Sequence, residues 1–268
     1  MCIMFVVKVP GVNGNKGCKG AGNEIIEKLD EIGSNEQGKL IDKNLLDLEE
    51  IHLDNKNLEL TNKLIYENAF ETFEAKPRTV FLGGDHSISY SLVKAFLNYC
   101  REEGDEPCLI VFDSNPNCEN PNNFPNNKQW LRKVIDAGFP EENILLVGVR
   151  NSRIEEINFL KGQRIRMIDT NKITLDIENI CDTIMEFSNR KVLYLSIDVS
   201  VVDSAFAPST SFNEPGGLTS RQLIYLIQRL NRVKGLKAVD IVEIDAEKDK
   251  NHDEKTIKLG AKILAEFL

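Results

Sequence analysis

The chain predicts an α/β protein built on a parallel sheet with helices on both faces. Three observations predict it. Short apolar runs of strand length recur at 3–9, around 50–53, and at 79–82, 108–112, 144–149, 165–168, 192–199 and 238–243. Most are separated by helix-length segments, an alternation that goes with right-handed crossovers between parallel strands. Several runs then end abruptly in carboxylates and turn residues, as strands buried on both faces do where they reach the rim of a sheet.

Taken in order, the run at 3–9 lies in an apolar N-terminus with no basic flank, which meets a charge at Lys8 and is too short for a signal peptide. Leu60, Leu64, Ala69 and Phe73 supply a helical stripe before the run at 79–82. That run ends in Gly83-Gly84-Asp85-His86-Ser87, where Ser87 is placed to cap a helix reaching about Tyr99 and His86 to stand at its N-terminus. The run at 108–112 ends in Asp113-Ser114-Asn115-Pro116-Asn117 and opens a segment, 115–129, in which seven of fifteen residues are Asn and three are Pro. Proline stops helices and asparagine favours turns, so this is a long ordered loop, and such loops in a compact fold are usually functional or mobile. The run Val192-Leu193-Tyr194-Leu195-Ser196-Ile197 delivers Asp198-Val199-Ser200-Val201-Val202-Asp203 at its end, and an irregular stretch from 204 to 217 closes the same rim. Thr219 and Gln222 form a capping box for a helix whose Leu223, Leu226, Ile227 and Leu230 share one face. Ala261, Leu264 and Leu268 mark a terminal helix.

With 268 residues, 41% of them hydrophobic, the chain can bury a sizeable core, and nothing in the pattern divides it, so a single domain over 1–268 is expected. Its 33 basic and 42 acidic residues give a net charge of −9, which argues against nucleic acid or an anionic membrane as the principal partner. Cysteines at 2, 18, 100, 108, 118 and 181 form no C-x-x-C pair and read as reduced thiols. No stretch approaches the roughly 20 apolar residues of a membrane span. A cytoplasmic protein is expected.

Ligands of open α/β sheets sit beyond the carboxyl ends of the strands. Four residues, His86, Asp113, Asp198 and Asp203, stand at such ends, and an imidazole with carboxylates makes a hard ligand set for a divalent cation. On spacing alone a second reading stands beside it, in which the aspartates cap loops by accepting backbone N–H bonds and His86 is a hydrogen-bonded core histidine.

Longer motifs carry a resemblance. Lys16-Gly17-Cys18-Lys19-Gly20-Ala21 with Glu24-Ile25-Ile26, Gly83-Gly84-Asp85-His86-Ser87, Val147-Gly148-Val149-Arg150, the stretches 203–208 and 214–219, and Val242-Glu243-Ile244-Asp245 with Asp249 and Thr256 beyond it run nearly the length of the chain. Together they resemble the arginase/agmatinase/formimidoylglutamase superfamily, the ureohydrolases. The resemblance implies a three-layer αβα sandwich on a mainly parallel eight-stranded sheet. It also implies two manganese ions at the strand ends, which make a hydroxide that attacks a guanidinium or amidinium carbon. By the same resemblance Glu243 would pair with the guanidinium, with Asp245 and Asp203 helping to attract a cationic small molecule, and the chain would assemble as a homo-oligomer. These carboxylates read equally well as groups satisfied by loop N–H donors.

The ligand positions depart from the family pattern. Its D-A-H-x-D reads Asp113-Ser114-Asn115-Pro116-Asn117 here and its D-x-D reads Asp198-Val199-Ser200, so Asn115, Asn117 and Ser200 stand where a His and two Asp are expected. His86, Asp113 and Asp198 match. Two carboxylates balance one divalent cation, not two, so the expectation is no cofactor or one weakly held cation, manganese by resemblance, on His86, Asp113, Asn117 and Asp198. Lowering the pKa of bound water from about 15.7 to about 7 is worth roughly 12 kcal/mol, much of the ~8–23 kcal/mol by which enzymes accelerate reactions. Most of that would be lost with the pair.

Three functions follow as alternatives. One is a homologue without effective two-cation chemistry, kept for binding, assembly or regulation. Another is a hydrolase of a guanidino or amidino C–N bond using one cation or an altered ligand set. The third is a structural partner of an active paralogue. A histidine expected by resemblance in the loop before Trp130-Leu131-Arg132 falls near Asn127. Cys118 in that loop is a minor nucleophile candidate. His52 and His252 are assigned nothing.

Overall fold

The computed structural model describes residues 5–268. Eight strands, β1 (Phe5–Val9), β2 (Asp47–Glu50), β3 (Thr79–Gly83), β4 (Pro107–Phe112), β5 (Ile144–Val147), β6 (Arg166–Ile168), β7 (Val192–Asp198) and β8 (Leu236–Val242), form one sheet in the order β2-β1-β3-β8-β7-β4-β5-β6. Every pairing is parallel, so the expected mainly parallel sheet is parallel throughout. Ten α-helices among the described residues cover it: α1 (Ala21–Lys28), α2 (Leu58–Ala75), α3 (Ile88–Glu103), α4 (Trp130–Asp136), α5 (Ile154–Gly162), α6 (Thr170–Leu175), α7 (Ile177–Phe187), α8 (Ser220–Leu230), α9 (Ala246–Asp249) and α10 (Lys255–Phe267).

Side chains of a strand alternate between faces, and here the alternation builds two cores. Val80 and Leu82 of β3 and Leu193, Leu195 and Ile197 of β7 pack toward α1, α7, α8 and α10. Phe81 and Tyr194 pack the other way, toward α2, α3 and α4. This is the three-layer sandwich. The second face is interrupted by two buried polar side chains in mid-strand, Ser196 and Asp240.

Seven of the expected strands lie where the apolar runs placed them, to within three residues at each end. Residues 3 and 4 of the first run lie outside the described residues, as does Cys2. The run at 50–53 is displaced, for the strand is Asp47–Glu50, paired only to β1 along Phe5–Lys8, and the buried Ile51 follows it. The helix after the G-G-D-H-S motif extends to Glu103. Ser87 does not cap it by its side chain; both its N–H and its hydroxyl donate to Asp85 Oδ1. In α2 the buried face is Thr61, Ile65, Ala69, Thr72 and Phe73, while Leu60 is 42% exposed. The Thr219–Gln222 capping box and the apolar face of α8 are as read. The 115–129 loop contains neither helix nor strand.

Gly84 explains how β3 turns so sharply. A Cβ there would sit 2.1 Å from the carbonyl oxygen of Gly11, so only glycine lets the loops after β1 and β3 touch.

Candidate functional site

His86, Asp113 and Asp198 come together where β3, β4 and β7 end. His86 Nδ1 lies 3.1 Å from Asp113 Oδ2 and 3.1 Å from Asp198 Oδ2. All three are buried, and their ligand atoms fall within 4.8 Å of one another, the one such His/Cys/Asp/Glu group among the described residues. Ser196 lies beneath His86, with its hydroxyl 2.9 Å from Nε2 and donating to Asp240 Oδ1 at 2.7 Å. Since the serine proton goes to Asp240, its lone pair accepts from Nε2–H, which leaves Nδ1 facing the two carboxylates. Asp240 in turn accepts from Ser89 and Tyr194.

Burial by itself lowers the pKa of His86, but hydrogen bonds to Asp113 and Asp198 and their charges outweigh it and hold the value well above the ordinary one. Burial and the Asp198 charge push the Asp113 carboxyl up, against the opposing pull of His86. Without a cation, the imidazole is the group these two carboxylates face. A cation and the Nδ1 proton would compete for the same position.

Asn117, in the left-handed region at φ 51°, donates from Nδ2 to Asp113 Oδ2 at 2.6 Å. The Asn115 side chain faces out, its Nδ2 donating to the Asn151 carbonyl at 3.1 Å. The Ser114 hydroxyl donates to Asn115 Oδ1 at 2.6 Å and lies 2.9 Å from the Ser200 hydroxyl, which is 3.3 Å from Asp113 Oδ1. With the Ser114 proton on Asn115, the single Ser200 proton goes to Ser114 or to Asp113. The donor set at His86, Asp113 and Asp198 fits one divalent cation, and around Ser200 and Asn115 the groups on offer are hydroxyls and amides.

Glu243 is buried at the end of β8 with a φ of 67°, a backbone state that for a side chain of its size stores about 1–3 kcal/mol of strain. Its Oε1 accepts from the His86 N–H at 2.8 Å and from Asn127 Nδ2 at 2.9 Å. Its Oε2 accepts from the Ser211 hydroxyl and lies 4.0 Å from Cys18 Sγ. Burial, with the charges of Asp198 and Asp85, pushes its pKa up. Asp245 caps α9, accepting the Lys248 N–H at 2.9 Å, and takes a bond from Asn15 Nδ2 at 3.1 Å. Asp203 accepts backbone N–H bonds from Ala205, Gly216 and Gly217 and so closes the 204–217 loop, which holds its carboxyl below the ordinary range. The Cys118 thiol is pushed up by burial and by Glu156, which removes the thiolate a nucleophile needs.

Several participants escape the motif pattern. Ser196 and Asp240 are the relay under His86, and their only signal is a polar residue inside an otherwise apolar strand. Trp130 packs its ring 4.5 Å from the His86 ring, tilted by 33°.

The profile of the Arginase family matches residues 3–268, and the chain belongs to that family. It is 28% identical over 208 residues to the mitochondrial Arginase 1 of Arabidopsis thaliana, an alignment covering 76% of this chain and 58% of that protein. The chain therefore spans little more than half the length of its plant relatives. With the agmatinase of Bacillus subtilis it shares 26% identity over 247 residues, covering 88% of this chain and 80% of that one. The crystal structure of formimidoylglutamase from Bacillus subtilis superposes with a TM-score of 0.88 at 21% identity, covering 100% of this chain and 87% of the other, a likeness of fold.

Proposed function

We propose that this arginase-family chain holds at most one divalent cation, on His86, Asp113 and Asp198 with the Asn117 amide in reach, and does not carry out two-cation amidine hydrolysis. Its role is then binding of a cationic small molecule, assembly or regulation, as a homo-oligomer or beside an active paralogue. The observation that supports this most is the closed chain Asp113–Ser200–Ser114–Asn115, which contains no second carboxylate or imidazole. Glu243 supports it too, because both of its oxygens are already taken up by donors of the protein itself. Elemental analysis after loading with manganese should find one ion per chain or fewer, with no urea released from arginine or agmatine. Two ions per chain with urea release would end this reading. Trp130, the sole tryptophan, gives a second readout through its fluorescence beside His86.

A second reading is favoured by the Asp240–Ser196–His86 relay, which orients Nδ1 as a cation ligand requires. In it the chain cleaves a guanidino or amidino C–N bond with a single cation, which supplies Lewis acidity toward water. His86→Ala should then abolish both cation binding and turnover, and unchanged turnover would remove this reading.

A further inference from the structure

A hollow of about 650 Å³ opens between the loop that follows β1 and the start of α2. Lys16, Lys19 and Lys56 reach it from two separate stretches of chain. None of their ammonium groups makes an ion pair or hydrogen bond among the described residues. In a chain of net charge −9 this is a local reversal of sign, and three like charges around one hollow are relieved by an anion seated among them. Asp85, which lies beneath the loop, offers them nothing, since its carboxylate is turned inward onto the N–H groups of Asn13, Asn15 and Ser87.

We propose that this groove binds a polyphosphate-bearing small molecule. The cations are all lysines, which bind phosphate as point charges, and three of them around one hollow match the several negative charges of a polyphosphate rather than the single charge of a carboxylate. The volume lies within the roughly 300–1,000 Å³ of small-molecule sites. Asn13 and Leu58 form a wall shared with a second hollow of about 650 Å³, where Phe124, 37% exposed, is flanked by Asn122 and Asn126. The charged end of a ligand on the lysines thus has an aromatic face and amides within the adjoining space for its remainder. The groove also borders the His86 site, because a Cβ on Gly14 would stand 2.2 Å from Asn127 Oδ1, and Asn127 donates to Glu243.

This inference requires neither a metal ion nor an amidine and does not depend on the proposed function. Isothermal titration of the full chain with inorganic triphosphate and with ATP, both in chelator and free of divalent cations, tests it. Saturable binding is expected, weakening with added salt and at least about tenfold weaker in the exposed-surface variant Lys16→Gln/Lys19→Gln/Lys56→Gln. Equal affinity for both probes identifies free polyphosphate as the ligand. Tighter binding of ATP that is lost in Phe124→Ala identifies a nucleotide. No saturable binding of either probe, or binding unchanged in the triple variant, overturns the proposal, provided the variant's melting curve matches that of the parent.

Discussion

The site has two halves that differ in what holds them. The half around His86 is charged and supported from below, through Ser196 to Asp240 inside the sheet. The half around Ser200 and Asn115 is neutral and tied to loops, at Ser114 and at the Asn151 carbonyl. A buried carboxylate needs a positive partner, whereas hydroxyls and amides need only each other. The Ser200 hydroxyl and the Asn115 amide each have partners within the protein, at Ser114 or Asp113 and at the Asn151 carbonyl. The charged half sets the His86 imidazole against two carboxylates, and a metal ion held there would stand where Nδ1 can carry a proton.

The largest effect is expected from placing at three positions the ligands that the resemblance implies. Asn115→His/Asn117→Asp/Ser200→Asp raises the carboxylates around the site from two to four. In chelator the variant should lose about 3–5 kcal/mol of stability, since the added buried charges have no partners. With manganese it should recover that loss and bind two ions per chain. Chemical denaturation with and without the metal, beside elemental analysis, measures both. A variant that tolerates the new charges and still binds no second ion would mean that the halves differ in backbone shape rather than in charge.

Two single substitutions separate the halves directly. His86→Ala leaves Asp113 and Asp198 facing each other without a cation and should cost about 3–5 kcal/mol. Ser200→Ala removes one hydroxyl from the neutral chain and should cost about 1 kcal/mol. Urea unfolding at neutral pH in chelator gives the two numbers. Equal losses would break the distinction.

The charged half was legible in the sequence because apolar runs that stop at a carboxylate mark strand ends, and three of them converge here. Its support was not. Ser196 and Asp240 sit in mid-strand, where a polar residue is ordinarily read as facing solvent, and only the burial of both sheet faces turns them inward. β2 was misplaced for a related reason. Asp47–Glu50 is an acidic edge strand held by its pairing to β1, so it has no apolar pattern of its own, and Ile51 beyond it supplied the signal instead. The shift of the buried face in α2 from Leu60 to Thr61 shows that two threonines carrying hydroxyls can be core positions when those hydroxyls return to backbone carbonyls, at Asp54 and Asn68.

The smallest effect concerns the loop that closes the neutral half. Asp203 ties residues 204–217 together through three backbone N–H groups, and these bonds, led by that from Ala205, hold its carboxyl below the unfolded value of about 3.9. A depressed carboxyl contributes stability that is fully present above the unfolded pKa and disappears as pH falls through the folded one. Asp203→Asn should therefore cost about 0.5 kcal/mol near neutrality, because the carboxylate is partly exposed and solvent screens its bonds to the loop. The gap between parent and variant should narrow as pH drops below about 4. Urea melts across that range decide it, and a gap that does not change with pH would show that the loop is held by the shape of the side chain at 203 rather than by its charge.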